Sequence, residues 1–479
     1  MPDEPGRRRR YAIVGTGARA ELFARAVALD HAATSTLVAL ADPNPVRLAA
    51  HHAGLARLGV PNVARYPADQ FSSMLRRERV DVVIVTTIDR FHDTYLVAAL
   101  EAGCDAITEK PMAIDAPGCQ RILDAVDRTG RTVTVAFNYR YSPVHETVKR
   151  VLAGGEIGEI GSVHFEWLLD VRHGADYFRR WHRRRANSGG LLVHKASHHF
   201  DLVNWWLAAD PVEVYALGRL FFYGGEAGRR HGYHRDYDRA HGAPAALGDP
   251  FALRLADHPR LTELYLDAEH LDGYRRDENV FGPGIDIEDD MAVLVRYTTG
   301  ASMSYHLTAY APWEGYRVMV NGSRGRLELE VVENDHVSPA TADGVKGEAR
   351  HADQASAALH GVEAAGEDGH ARLMIHPFWR KPYELTIDGY AREGHGGADR
   401  RMLTTLLSPV PGAPVDELGR GATDRDGARA LLVGLAANAS FTTGRAVRVA
   451  DLLHVPTTGR DATAPDAAAT DSDRKEPTA

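Results

Sequence analysis

Cysteine is nearly absent: Cys104 and Cys119 are the two thiols in 479 residues. A disulfide framework is thereby excluded, and a reducing compartment is expected, with both thiols structural. No apolar run reaches the roughly 18 residues of a membrane-spanning helix. Positive charge is also in deficit, 56 Lys and Arg against 65 Asp and Glu for a net charge of -9, and no long basic stripe offsets it. That balance excludes a surface built to neutralise nucleic-acid phosphates and favours a small-molecule partner. The four arginines at 7–10 run straight into YAIVG, with no apolar segment or cleavage site between. They read as a basic N-terminal arm rather than an export signal, and a cytoplasmic location is expected. Internal repeats are not evident.

What the chain does contain is ordinary globular material, 44% apolar and 25% charged, in a length too great for one core. Two domains and a tail are expected. Over residues 11–135, short β-branched runs alternate with helical patterns: YAIVG, a helix near 18–29, TLVALAD, a helix near 45–57, VDVVIVTT, a helix near 92–102, CDAIT and TVTVAF. Continuous apolar strands separated by helices predict a parallel sheet covered on both faces, a Rossmann-like domain over 8–140. After a helix at 143–153, strands near 160–170, 212–222, 290–297, 301–309, 316–321 and 325–332 follow one another directly. This rhythm predicts a large, mostly antiparallel sheet with segregated helices, an α+β substrate and oligomerisation domain over 141–455. Residues 222–286, rich in Gly, Arg, His and Tyr, are too long for a simple connection and are expected to lid the site or extend the domain. A second Ala/Gly/Asp-rich stretch covers 339–369, and residues 456–479 are expected to be a disordered tail.

The segment VGTGARA at 14–20 follows a strand and opens a helix, matching G-x-G-x-x-G/A in the right setting. Gly15 suits the tight turn, Gly17 lets a pyrophosphate approach the backbone, and Ala20 is small enough for helix-on-sheet packing. The backbone at Thr16, Ala18 and Arg19 offers N–H donors at the helix N-terminus. Asp42 ends TLVALAD about 20 residues on, where an acid binds the adenine ribose diol and repels a 2′-phosphate. NAD is therefore expected, with Arg47 nearby as the group that would admit NADP. A lone glycine motif would be weak; strand, loop, helix and acid in order make turn-forming glycines and a helix-capping Asp42 the poorer explanation.

With Glu109-Lys110-Pro111 the chain resembles the glucose-fructose oxidoreductase, inositol dehydrogenase and rhizopine-catabolism family, Gfo/Idh/MocA. The resemblance rests on VGTGARA, VTTIDRFHDTYLVAALEAG, TEKPMA, FNYRYSP and SGGLLVHKASHHFDLVNWW, spanning most of residues 10–210. It continues more loosely in IEDDMAVLVRYTTG, YAPWEGYRVMVNGSRGRLE and EGHGGADRRML. It implies a nicotinamide-dependent oxidoreductase acting on a sugar, sugar derivative or cyclitol, with Thr86, Thr87, His92 and Glu109 beside the cofactor. It implies that Lys110 hydrogen-bonds the reacting hydroxyl, often after a cis Lys-Pro bond, and that self-association as a dimer or tetramer uses the outer face of the C-terminal sheet. A lysine after a parallel strand also lies at the carboxyl edge of the sheet on physical grounds, near a nicotinamide.

Residues 189–201 align with the family pattern G-G-x-L-x-D-x-G-x-H-x-x-D, which puts His198 at the catalytic histidine and Asp201 at the final acid. The match departs in two places: His194 stands where the family has Asp, and Ala196 where it has Gly. On one helix His194, His198 and Asp201 would share a face. His198 is expected to be the base, since an imidazole accepts an alcohol proton near neutrality, with His194 assisting. Asn138, Arg140, Lys195, Asp201 and His395 are the expected substrate contacts. The H-x3-H spacing also suits a metal, but an obvious third ligand and the Glu of H-E-x-x-H are missing, so none is expected. His173, His199 and at least one of Trp205 and Trp206 are better explained by core packing. Glu288-Asp289-Asp290 reads as a solvated strand edge. Two other functions share these residues: an NAD-dependent glycosidase that oxidises a ring carbon transiently, and a dinucleotide-binding sensor or repressor without catalysis. Retention of Lys110 and His198 and the lack of an added DNA-binding module weigh against the sensor.

Overall fold

The computed structural model describes residues 7–337, 369–388, 397–408, 416–453 and 455. The expected tail at 456–479, nearly all of 339–369, and His395 lie outside the described residues. Among the described residues two sheets organise the chain. The first runs, edge to edge, Ala422–Thr423, Val133–Val135, Asp105–Thr108, Val82–Val85, Arg9–Val14, Ser35–Asp42 and Ala64–Pro67. All its pairings are parallel except the antiparallel addition of Ala422–Thr423 to Val133–Val135. Its central strands are buried on both faces, which is why they read as unbroken apolar runs.

The second sheet runs Tyr383–Leu385, His370–Pro377, Gly325–Asn334, Glu314–Gly322, Ile160–Asp170, Ser302–Ala311, Asp290–Tyr297, Pro211–Arg219 and Val447–Arg448. Antiparallel pairing is broken once, where Ser302–Ala311 runs parallel to Ile160–Asp170. One face buries Phe165, Trp167, Tyr305 and Tyr316 beneath the Pro143–Ala153 and Ser197–Leu207 helices. On the other, Tyr215, Leu294, Ser304, His164 and Met319 stand in register across five strands. Leu217 and Leu294 are 61% and 55% exposed there. Such alternation is what a sheet with one open face requires.

Two later segments return to the first sheet. The Ala398–Leu407 helix adds Ala398, Met402, Leu403 and Leu407 to the apolar cluster of Tyr11, Ile13 and Phe23. The Asp424–Thr443 helix, opened by a reciprocal Thr423 and Asp426 cap, rides between the sheets. A Cβ at Gly427 would lie 2.8 Å from Val135 Cγ2, and one at Gly434 2.6 Å from the Leu192 carbonyl oxygen. The two glycines thus let one helix press on the first sheet's edge and on the Leu191–His194 turn.

The 222–286 stretch is not a loose connection. Asp289 is fully buried and accepts the backbone N–H of Phe221, Phe222 and Tyr223, so the expected solvated edge at 288–290 is instead a backbone cap. The need to satisfy those three N–H groups explains the burial of a charge there. Burial raises the Asp289 carboxyl to about 6. Further along, Leu253, Leu255, Leu261, Leu264 and Tyr265 pack on Ala18 and Ala50. No described helix is long and apolar enough to cross a membrane.

Candidate active site

The glycine loop is built by steric and polar pressure from three sides. Gly15 has φ +90°, and a Cβ there would fall 2.6 Å from the Thr87 backbone nitrogen. Thr86 Oγ1 donates to the Gly15 carbonyl at 2.6 Å. Asp42, at the end of Ser35–Asp42, accepts the Thr16 N–H at 2.6 Å and the Asn44 N–H at 2.7 Å. A Cβ on Gly17 would meet nothing nearer than the Tyr265 hydroxyl at 3.7 Å, so the loop leaves that approach open. The Ala18 N–H, first of the Ala18–Arg25 helix, donates to that hydroxyl at 3.0 Å. An oxygen acceptor therefore sits where a phosphate oxygen would be bound, and the cradle fits a dinucleotide.

Around the cradle, charges are paired. Arg19 binds Glu109 at 2.5 Å and Asp399 at 3.0 Å, and Asn138 Nδ2 donates to the same Asp399 oxygen at 3.0 Å. Arg47 lies 3.7 Å from Asp42 and binds Asp272. His51, buried against the Gly17 carbonyl at 3.2 Å, is lowered to about 3 by burial and by Arg260.

Lys110 follows the Asp105–Thr108 strand and is 7% exposed. The Lys110–Pro111 bond is cis. His92 faces the Pro111 carbonyl with Nδ1 at 2.7 Å and the Thr87 carbonyl with Nε2 at 3.2 Å, bracing the segment rather than reaching outward. Lys110 Nζ donates to the His194 carbonyl at 2.9 Å and lies 3.4 Å from His194 Nε2. His194 Nδ1 lies 2.5 Å from Asp89 Oδ2. Burial pushes the Lys110 ammonium down to about 8, opposed by Asp89. Burial, then Lys110, holds the His194 imidazolium well below its ordinary range, and burial holds the Asp89 carboxyl well above its own. A neutral His194 can donate from Nδ1 to Asp89 and accept from Lys110 at Nε2, in keeping with the lowered His194.

The helix carrying the other histidine is interrupted. Leu191–His194 ends, Lys195 and Ala196 turn, and Ser197–Leu207 begins. His194 faces Asp89 and Lys110, whereas His198 stacks on Tyr139, 4.5 Å between centroids at 16°. Asp201 lies neither with them nor in solvent: its two oxygens accept from Arg140 Nε at 2.8 Å and Nη2 at 2.6 Å. Burial raises Asp201 to about 6 against the opposing pull of Arg140. Lys195, 2% exposed, donates to Tyr139 Oη at 3.3 Å and sits over the Trp167 ring at 4.8 Å. The structure thus joins Lys110 with His194, Arg140 with Asp201, and Asn138 with Arg19 through Asp399.

His199 stacks on Trp167 at 4.0 Å and His173 pairs with Glu314, while both tryptophans of 205–206 spend their indole N–H on backbone carbonyls. These are core roles. Sequence reasoning overlooked Asp89 and Tyr265; Asp89 stands directly after VTTI at a strand end, so a signal existed for it, while Tyr265 carries none. Asp399, in EGHGGAD, reads from sequence as either a sugar-hydroxyl ligand or a helix N-cap; the cap residue is Gly397, and Asp399 pairs with Arg19 and Asn138.

A parallel sheet with a glycine cradle, an acid after its second strand and a buried lysine beside the cradle defines an oxidoreductase with an NAD-binding Rossmann domain. Comparison with known proteins agrees. The Gfo/Idh/MocA oxidoreductase family matches twice, through its NAD-binding Rossmann fold at residues 9–137 and its C-terminal alpha/beta domain at residues 149–449. The chain belongs to this family. It is similar to YteT of Bacillus subtilis (strain 168), 39% identical over 310 residues, or 61% of this chain and 69% of that one. An inositol 2-dehydrogenase of Pseudomonas fluorescens is 29% identical over 213 residues, 43% of this chain and 56% of its own length. In fold it is similar to the WlbA dehydrogenase from Bordetella pertussis, solved with NADH and UDP-GlcNAcA, with a TM-score of 0.59, 17% identity and coverage of 95% and 100%.

Proposed function

We propose that the chain transfers a hydride between NAD and a hydroxyl-bearing carbon of a sugar, sugar derivative or cyclitol. The observation that carries this is the buried Lys110, held on His194 beside the glycine cradle. Similarity to an inositol 2-dehydrogenase supports a polyol substrate. Gly15, Thr16, Gly17 and Ala18 would receive the pyrophosphate and Asp42 the adenine ribose, with Arg19, Thr86, Thr87, His92 and Glu109 shaping the wall. Bound nicotinamide would supply the hydride acceptor or donor. Lys110 donates an N–H to the substrate oxygen and stabilises the charge that develops there as its proton leaves. His198 takes that proton. His194, tied to Asp89, fixes where the Lys110 ammonium points and how readily it keeps its charge. Asn138, Arg140, Lys195 and Asp201 hold the cleft in shape around the substrate.

The test is incubation of purified protein with NAD and a panel of sugars, sugar acids and cyclitols, read at the reduced-nicotinamide absorbance. Turnover with one polyol class is expected. Aglycone release without net reduction would reassign the chain to redox-neutral glycoside hydrolysis, and dinucleotide binding without any turnover would favour a sensor. We also infer that the open face of the second sheet is covered by a second copy, supported by the exposed Leu217 and Leu294 on neighbouring strands of that face.

A further inference from the structure

Arg47 is the one feature of the cradle that argues against NAD, because a guanidinium at the end of the second strand suits a 2′-phosphate. Its surroundings answer this. Asp272, from the Glu269–Asp272 helix of the long inserted stretch, binds Arg47 Nη2. The same carboxylate oxygen accepts from Asn44 Nδ2 at 2.9 Å, and the Asn44 amide also donates to the Ala268 carbonyl at 2.9 Å. Tyr274 N–H fixes the other carboxylate oxygen at 3.1 Å. Asp272 is therefore held at this position by three groups rather than left as a wandering surface acid.

Charge decides the consequence. Asp42, Asp272 and Arg47 together leave one net negative charge around the adenosine end of the cradle. A phosphate monoester would bring about two more negative charges into that field. The neighbouring cation, Arg260, offers no relief, since Glu21 at 3.1 Å and Glu263 at 2.6 Å already hold it. Arg47 Nη1 is buried and, among the described residues, has no hydrogen-bond partner.

We propose that Asp272 is a specificity-determining residue for the cofactor, occupying Arg47 so that it is denied to a 2′-phosphate and the site is held to NAD. The proposal rests on the NAD-binding assignment and adds a determinant more than 200 residues beyond the Rossmann motif in sequence. The inserted stretch thereby gains a role in the site, since Tyr265 meets the Ala18 N–H and Asp272 meets Arg47.

Calorimetric titration of wild type, Asp272→Asn and Asp272→Asn/Arg47→Ala with NAD and NADP tests it. Asparagine removes the charge and keeps the shape of the side chain with one acceptor oxygen, for Asn44 or for Tyr274 but not for both. Asp272→Asn is expected to shift the NADP-to-NAD affinity ratio toward NADP by about tenfold or more, as a freed charge-assisted contact would. The double variant is expected to lose that gain. Asp272→Ser serves if the asparagine variant does not fold. An unchanged ratio, including equal weakening of both cofactors, would overturn the proposal and leave Asp272 a brace for its helix. A gain that survives loss of Arg47 would overturn it too. Wild type binding neither dinucleotide would instead overturn the cofactor assignment, and the proposal with it.

Discussion

Lys110 is caught between burial, which disfavours its charge, and Asp89, which restores part of it, and the balance leaves its pKa at about 8. Protein that needs a charged lysine at the substrate oxygen therefore loses activity as pH rises through that value. His194→Asp should move the limb upward: a carboxylate beside the ammonium favours the charged form, whereas the neutral imidazole does not. The pH dependence of kcat/KM in both proteins reads this, and a limb that stays in place in an active variant would remove His194 from contact with Lys110 in solution. Lys110→Ala and His198→Ala should each lower kcat by about 100-fold or more with dinucleotide Kd nearly intact. Wild-type rates in either would strike that residue from the mechanism. Much of this site was legible in the chain. G-x-G, the acid after the second strand and E-K-P each carry their chemistry in residue type and spacing. The partnership of His194 was not legible, because it depends on Asp89, 105 residues away, and on the turn at Lys195 that separates His194 from His198.

At the scale of elements, sequence patterns were most faithful where one face or both faces were plainly apolar. The Pro45–Arg57 and Pro143–Ala153 helices and the Ile160–Asp170 and Asp290–Tyr297 strands stand where they were expected. The Asp424–Thr443 helix went unread, because alanine and glycine dominate it and its buried residues surround most of its circumference, which blurs any 3.6-residue stripe. Those small residues are also what it needs. An alanine in place of glycine in a helix ordinarily gains about 1 kcal/mol. At Gly434 a Cβ would meet the Leu192 backbone oxygen at 2.6 Å, and backbone cannot rotate away. Gly434→Ala should therefore destabilise, by about 1–3 kcal/mol, and should lower kcat as well, since Leu192 belongs to the turn that carries His194. Thermal melting and steady-state rates check the two halves of that statement; a stabilised variant would show that the helix has room to shift.

For the whole molecule, composition excluded a long apolar helix and disulfide stabilisation at once, and alternating against consecutive strands separated the two sheets. It did not reveal how the chain reconnects them, since a two-residue strand such as Ala422–Thr423 has no periodicity to read. Association belongs to this scale. Leu294→Glu would place a charge within the registered row on the open face, between Ser304 and Tyr215, and light scattering should then report a smaller species than wild type, with dinucleotide affinity retained. An unchanged mass would assign that face to something other than a second copy.

The strand Ala422–Thr423 and the Ala398–Leu407 helix complete a sheet whose other strands end at Val135. On the ribosome the dinucleotide-binding half is therefore made early and finished late: nearly 300 residues separate Val135 from the strand that covers its edge. Until then an open strand edge and an uncovered apolar patch are exposed together, the combination that invites aggregation. A fragment ending near residue 140 would keep that edge and that patch uncovered, and is expected to aggregate more readily than the full chain.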